Sequence, residues 1–330
     1  MKHMKQKMFV HGVIRIAIAT GVLSAALLSL TVAAQAADDA GALAQEAWRE
    51  AIAHTSVPEA GCFEASYPSM EWNKVECVEA PNIPFLPRTR LGSQTVGNGD
   101  DYAAGVSSGV ISQTVGTFPK VKGVKSETGI YGANSYTLQL NSNFMNTQTC
   151  DGAKNPAECL DWLQYVYSSD SIAGFMQYWL INWNTKCPGG WYSYGGDCYT
   201  NSNAVTIPKE AISKLKTIKL SGTAVEGGLD TLVMTVGKKA YSVTGEDSVV
   251  YLSTAWTESE FNIVGDGGGS EAYFNTGSSL TVKVAVTNGT TNAAVCASDS
   301  GTTGETNNLN LGSCTGKGGA TPYIEFTESN

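Results

Sequence analysis

Cys159-Leu160-Asp161-Trp162-Leu163-Gln164-Tyr165-Val166-Tyr167, followed closely by Phe175-Met176-Gln177-Tyr178-Trp179-Leu180-Ile181-Asn182-Trp183, carries the pattern that decides the fold. Both runs are dense in aromatic and β-branched residues and short between turn signals, so both read as strands. Period-2 alternation puts Phe175, Gln177, Trp179, Ile181 and Trp183 on one face. It sets Gln164 opposite Leu163, Tyr165 and Tyr167. An aromatic row on a sheet serves either as a substrate floor or as sandwich core, and core is the commoner use.

The same texture extends in both directions from these runs. From about Val96, short apolar stretches such as Tyr102 to Val106, Ser135 to Leu140, Ser248 to Ala255 and Leu280 to Val286 alternate with Gly, Asn, Ser and Thr. Only Pro208 to Leu215 reads as helix among them. Many short strands without a repeat period predict an all-β, two-sheet antiparallel sandwich over 96–330, and argue against a propeller or solenoid. The tail from Cys296 reads as a stapled loop that returns to one last edge strand at Tyr323 to Phe326.

Ahead of the sandwich lie two other segments. Lys2, Lys5, Lys7 and Arg15 precede an apolar run from Val13 to Ala33 and the small residues Ala34-Gln35-Ala36, the plan of a secretory signal peptide over 1–36. Residues 37–95 then read as an extension. Leu43, Ala44, Ala47, Trp48 and Ile52 recur at helical spacing within 39–54, and Cys62 to Arg90 is Pro-rich and expected to be irregular and disulfide-stapled. Pro87-Arg88-Thr89-Arg90 is a nonspecific candidate processing site, and the extension reads as a propeptide, a cap over a groove or N-terminal packing.

Charge and composition exclude several functions. Loss of the signal leaves 17 basic residues against 30 acidic ones, a net −13, which opposes nucleic acid and anionic membrane as partners. No second apolar span follows the signal, so the mature form is expected to lack a membrane span and to be a secreted or periplasmic monomer. The 8 cysteines fall into sequence-local couples, Cys62/Cys77, Cys150/Cys159, Cys187/Cys198 and Cys296/Cys314. In an exported chain these read as disulfides, each worth about 2 to 3 kcal/mol. Only His54 of the 3 histidines survives the signal. A Ser-His-Asp hydrolase, a Cys-His protease and a histidine-ligated zinc enzyme are therefore disfavoured, and carboxyl and carboxamide groups are left to move protons.

A carboxyl pair of that kind stands in Trp256-Thr257-Glu258-Ser259-Glu260-Phe261-Asn262-Ile263-Val264. Glu258, Glu260 and Asn262 share a face, and residues two apart on a strand are about 7 Å apart by Cα. In a concave site one such carboxyl can be held protonated. Gly265-Asp266-Gly267-Gly268-Gly269-Ser270 lacks the Lys-Ser/Thr of a phosphate loop and reads as a flexible turn. Asp100, Asp101 and Asp266 lack EF-hand spacing for calcium.

Taken together, these segments resemble the glutamic peptidases of the eqolisin type, patchily over about Val96 to Thr290. Ile111 to Pro119 is similar to an early strand of that family ending in proline. Leu163-Gln164 is similar to the dipeptide bearing its catalytic glutamine, Tyr178-Trp179 with Trp183 to its aromatic strand, and Thr257 to Ile263 to the strand of its catalytic glutamate. The resemblance implies a concanavalin A-like or jelly-roll sandwich, with Glu260 as general acid/base and Gln164 as oxyanion stabiliser. It implies a polypeptide substrate bound near Trp179, Trp183, Gln177 and Glu258, acid pH, and no metal or cofactor. Two rival readings remain open: a glycan- or surface-binding module using exposed Trp179, Trp183, Trp191 and Tyr194, and a glycosidase using Glu258 and Glu260.

Overall fold

The computed structural model describes residues 40–89 and 95–330. The signal at 1–36, and Arg90 of the candidate processing site, lie outside these residues. Two large sheets, each antiparallel in every pairing, face one another. In one the strand order is Asn73–Val75, Cys62–Ser66, Lys239–Glu246, Leu229–Val236, Ile218–Thr223, Gln113–Lys122, Ser279–Thr287, Tyr323–Ser329 and Asn310–Lys317. The other runs Tyr192–Tyr194, Asp197–Asn201, Ala173–Ile181, Leu160–Ser168, Thr137–Ser142, Glu258–Val264, Ala103–Gly105 and Val295–Ala297, and Asn203–Thr206 and Val78–Glu79 attach at its side. A smaller sheet of Thr306–Asn307, Glu271–Phe274, Glu127–Gly129 and Gly132–Ala133 completes the fold. The expected all-β sandwich is thus observed.

The core lies between the large sheets because alternate residues of each strand point inward. Leu163, Tyr165, Phe261 and Ile263 from one sheet pack with Leu220 and Val282 from the other. Two glycines let the sheets close. A Cβ on Gly116 would sit within the Phe261 ring, and one on Gly222 would meet Tyr165. The aromatic rings lie where those side chains would be, so enlargement at either glycine overpacks the core.

The four disulfides join the sequence-local couples: Cys62–Cys77, Cys150–Cys159, Cys187–Cys198 and Cys296–Cys314. Residues 40–53 are helical. Trp48 and Ile52 bury against Ala65 and Ala240, Arg49 donates to Gly237 O at 2.8 Å, and Lys219 pairs with Glu50 at 2.8 Å. His54 is occupied there by Glu50 and Gln113, on the nine-stranded sheet.

Four local expectations are corrected. Cys62–Ser66, expected to be irregular, is a strand paired with Lys239–Glu246; its alternate residues fill the core beside a disulfide. Ser248 to Ala255 is a 3-10 turn and a short helix instead of a strand. The Asp247 carboxylate accepts from the Ser253 backbone and hydroxyl and rewards a helical turn over extension. Pro208 to Leu215 is helical only from Ile212, and as 3-10, since the Glu210 and Ile212 N–H groups go to the Tyr167 hydroxyl and Asn134. Tyr323–Ser329 is an interior strand flanked by Ser279–Thr287 and Asn310–Lys317, and the latter takes the edge.

Candidate active site

Strands facing a core on one side and water on the other bury half their residues, yet Leu160–Ser168 and Ala173–Ile181 are buried on both faces almost throughout. Inward residues such as Leu163, Tyr165, Met176 and Tyr178 meet the other sheet. Outward residues Trp162, Gln164 and Val166, with Phe175, Gln177 and Trp179, lie beneath further chain. This outer face holds the candidate site.

Cross-strand register lines up four polar residues on it. Gln177 pairs with Gln164, Gln164 with Asn141, and Asn141 with Glu260. Directly opposed residues project to the same side, so the four form one row. The Gln164 and Glu260 strands are not adjacent: Thr137–Ser142 runs between them, which sets their Cα atoms roughly 10 Å apart, two strand spacings.

Inside the row the hydrogen bonding is uneven. Glu260 Oε2 accepts from Thr302 N at 2.6 Å, the Thr302 hydroxyl at 2.9 Å and Asn141 Nδ2 at 3.2 Å. Its Oε1 has no partner, nor do Asn141 Oδ1 and both amide atoms of Gln164, all of them buried. A buried polar atom left unpaired costs about 1–3 kcal/mol, so these atoms mark where the fold gives up stability. The carboxyl is gripped by one oxygen and open at the other.

Gln177 does something different, gripping a peptide backbone. Its Oε1 accepts from Phe85 N at 2.7 Å and its Nε2 donates to Ile83 O at 3.0 Å, within a strap of residues 81–89 that crosses the outer face. The strap continues with Leu86 N to Glu305 Oε1 at 2.9 Å, Gly304 N to Leu86 O at 2.6 Å and Arg88 N to Thr302 O at 2.8 Å. Together the strap and the 299–305 segment roof the row.

Burial without cations raises the acids around it. Asp101 stands well above the usual carboxylate range because it is buried and lies near the carboxyls of Glu260 and Glu328. Asn262 Nδ2 bridges Asp101 at 2.6 Å and Glu328 at 2.7 Å. Burial pushes Glu328 up to about 7, and raises Glu305 against the four groups that donate to it. Asp266, hydrogen-bonded to Ser168 and the Asp170 N–H, is pushed by burial up to about 7.

The other anticipated residues are more dispersed. Glu258 shares the face of Glu260, half-buried and opposite Gly105. Trp179 is buried, stacked on Tyr199 and donating to Gln177 Oε1, so it belongs to the outer face and not to the inter-sheet core. Trp183 leaves the row: the strand ends at Ile181, Asn182 takes φ 57°, and Trp183 packs on Cys150 and Cys159. Both tryptophans are therefore covered and unavailable as exposed platforms, whereas Tyr194 is exposed. Asp101 and Asp266 sit in separate networks, so calcium would not find them together. Among the described residues, the set with metal-ligand spacing is Cys150, Cys159 and Asp161, and its cysteines are bonded to each other.

Asn141, Thr302 and Glu305 were not anticipated. Asn141 had a signal, because Thr137-Leu138-Gln139-Leu140-Asn141 alternates polar with apolar. Thr302 and Glu305 lie in a Gly- and Thr-rich stretch with no periodicity, held on the sheet by Val295–Ala297 pairing with Ala103–Gly105, by Thr306–Asn307 pairing with Glu271–Phe274 and by the Cys296–Cys314 disulfide.

No family profile and no curated protein matches the chain. Among solved structures, the crystal structure of scytalido-glutamic peptidase with a peptide-based transition-state analogue is similar to 69% of this chain and 98% of that one, with 15% identity and a TM-score of 0.31.

Proposed function

We propose that the chain is an exported hydrolase of peptide bonds that works at acid pH, with Glu260 as general acid/base and Gln164 as oxyanion stabiliser. The observation that carries this reading is the shared row: Gln164 and Glu260 project to one face, each with a buried polar atom that no other group of the described chain satisfies. Glu260, held through Oε2 by Thr302 and Asn141, keeps Oε1 for a water. That carboxylate oxygen takes a proton as the water attacks the scissile carbonyl, and Gln164 Nε2 donates to the oxyanion. The protonated Glu260 then delivers its proton to the departing amine. Gln177, which takes a backbone N–H and returns an N–H to a backbone carbonyl, suits an extended polypeptide. Four disulfides fit an oxidising compartment, in keeping with removal of residues 1–36 on export.

Casein digestion at about pH 4 tests this, because both roles depend on groups that a single substitution removes. In a form whose strap is loosened by Gly304→Val, where the added side chain crowds the Leu86 and Pro87 carbonyls, Glu260→Gln and Gln164→Ala should each abolish cleavage. Cleavage that survives Gln164→Ala would refute the pairing. Release of reducing sugar dependent on Glu258 and Glu260 would replace it with glycoside hydrolysis.

A further inference from the structure

Building on the peptidase reading, we propose that residues 83–88 are an intramolecular pseudo-substrate: they fill the cleft as an extended polypeptide would, silence it, and show which side chains it accepts. The strap's position relative to the polar row carries the argument. Phe85 packs on Val166 and Phe175, on one side of the Gln164–Gln177 pair. Leu86 packs on Trp162 and Trp179, on the other. The Phe85–Leu86 peptide unit therefore crosses the row at the two glutamines, beside the Asn141–Glu260 half of the same row.

Its backbone bonds are of the kind that recognise any extended chain. Gln177 binds on both sides of Pro84, Gly268 N donates to Pro84 O at 2.8 Å, and Pro87 pairs with Thr303 in an antiparallel bridge. Backbone contacts give affinity and alternate side chains give specificity in strand-addition recognition. Phe85 is fully buried in an apolar pocket and Leu86 half-buried on tryptophan. The cleft thus prefers an aromatic residue followed by an aliphatic one. Beyond Leu86 a cavity of about 250 Å³ opens between Pro87 and Arg88 on one side and Phe144, Ile181 and Tyr194 on the other, so the groove continues past the strap.

The strap is also a resident part of the domain. Upstream of it, Cys62–Ser66 is woven into the nine-stranded sheet, Cys62–Cys77 staples the return, and Val78–Glu79 pairs with Asn203–Thr206. Downstream, Arg88 is held by carbonyls of Asp299 and Gly301 at 3.0 and 2.8 Å and lies over the Phe144 ring. The strap opens by leaving the 301–304 segment while its upstream end stays in the fold.

Gly304 offers a way to force that opening, since a Cβ there would meet the Leu86 and Pro87 carbonyl oxygens at 3.1 and 3.0 Å. The experiment uses the mature protein and its Gly304→Val and Arg88→Ala variants, each checked for native circular dichroism so that one serves if the other fails to fold. The probe is a fluorescent peptide of residues 81–89, with binding read by anisotropy in a Glu260→Gln background and casein cleavage read with Glu260 present. The loosened variants should bind the peptide at least about tenfold more tightly than the intact protein, whose cleft is self-occupied, and casein cleavage should rise in step. A peptide with Phe85→Ala and Leu86→Ala should lose that binding. Folded, loosened variants that neither bind the peptide nor gain cleavage would overturn the inference, as would an intact protein that binds or cleaves equally well. Peptide binding without Glu260-dependent cleavage would uphold the strap as cleft occupant and remove the peptidase chemistry instead.

Discussion

Gln164 has a burial cost without visible return in the folded chain: an amide at full burial with neither end paired. Leucine would fill similar space without that penalty, so Gln164→Leu should leave stability unchanged or raise it by about 1 kcal/mol, read as a higher urea midpoint. Gln164→Met keeps a similar length in the buried site but supplies no N–H to an oxyanion. A fall of about 10²- to 10³-fold in kcat/KM is expected for it, with melting temperature changed by only a few degrees. A variant that lost stability and activity together would mark Gln164 as structural. Asn141 occupies a different position, touching Glu260 through one atom and keeping Oδ1 free. On the proposed mechanism it would serve to position Glu260.

At the level of elements, the strands bearing Gln164 and Glu260 were legible because Leu163, Tyr165 and Tyr167, and Phe261 and Ile263, recur at period 2 and set both groups on the other face, even though Trp162 and Val166 share Gln164's side. The strands carrying Phe175 and Leu280 were equally plain. What could not be read was the partner of each strand: nothing in the Gln164 or Glu260 segments says that Thr137–Ser142 intervenes, because pairing is decided by the whole core and not by local composition. Trp183 misled because one left-handed residue, Asn182, ends the period. The roofing segments were unreadable for a related reason: 81–89 and 299–305 have no periodic face and gain their conformation from the sheet they cover. Gly116, by contrast, lies inside a legible strand, and its role appears only with Phe261 above it. Gly116→Val should cost about 1–3 kcal/mol by overpacking, measured as a lower melting temperature at fixed pH.

For the molecule as a whole, the buried acids set a pH dependence of stability. Burial holds Glu328 and Asp266 up at about 7, above their ordinary 4.5 and 3.8, and Asp161 at about 6, above 3.8. A group raised on folding binds more protons folded than unfolded, so its contribution is fully present below the unfolded value and is lost as pH climbs through the folded one. The urea midpoint should therefore be higher at about pH 4 than at about pH 7.5, by an amount on the order of a few kcal/mol for these groups together. Glu50, lowered to about 2 by its hydrogen bond to His54 and by Lys219, runs the other way, but it is half exposed and solvent screening weakens its effect. Asp266→Asn and Glu328→Gln should each flatten the neutral limb, and a midpoint that rose with pH would contradict the account.

The polar row itself has one further implication. Its four members come from positions as far apart in the chain as Asn141 and Glu260, and they meet only because three ladders are in phase. A deletion of one residue within any of these strands would exchange the functional group for its apolar neighbour, Leu163 for Gln164 or Phe261 for Glu260, and drive the displaced polar group toward the sandwich interior. Length changes are thus forbidden on this face while they remain cheap in the hairpins at its ends. Variation in this protein should accumulate as substitutions away from the row and as insertions in the hairpins beyond the strand ends.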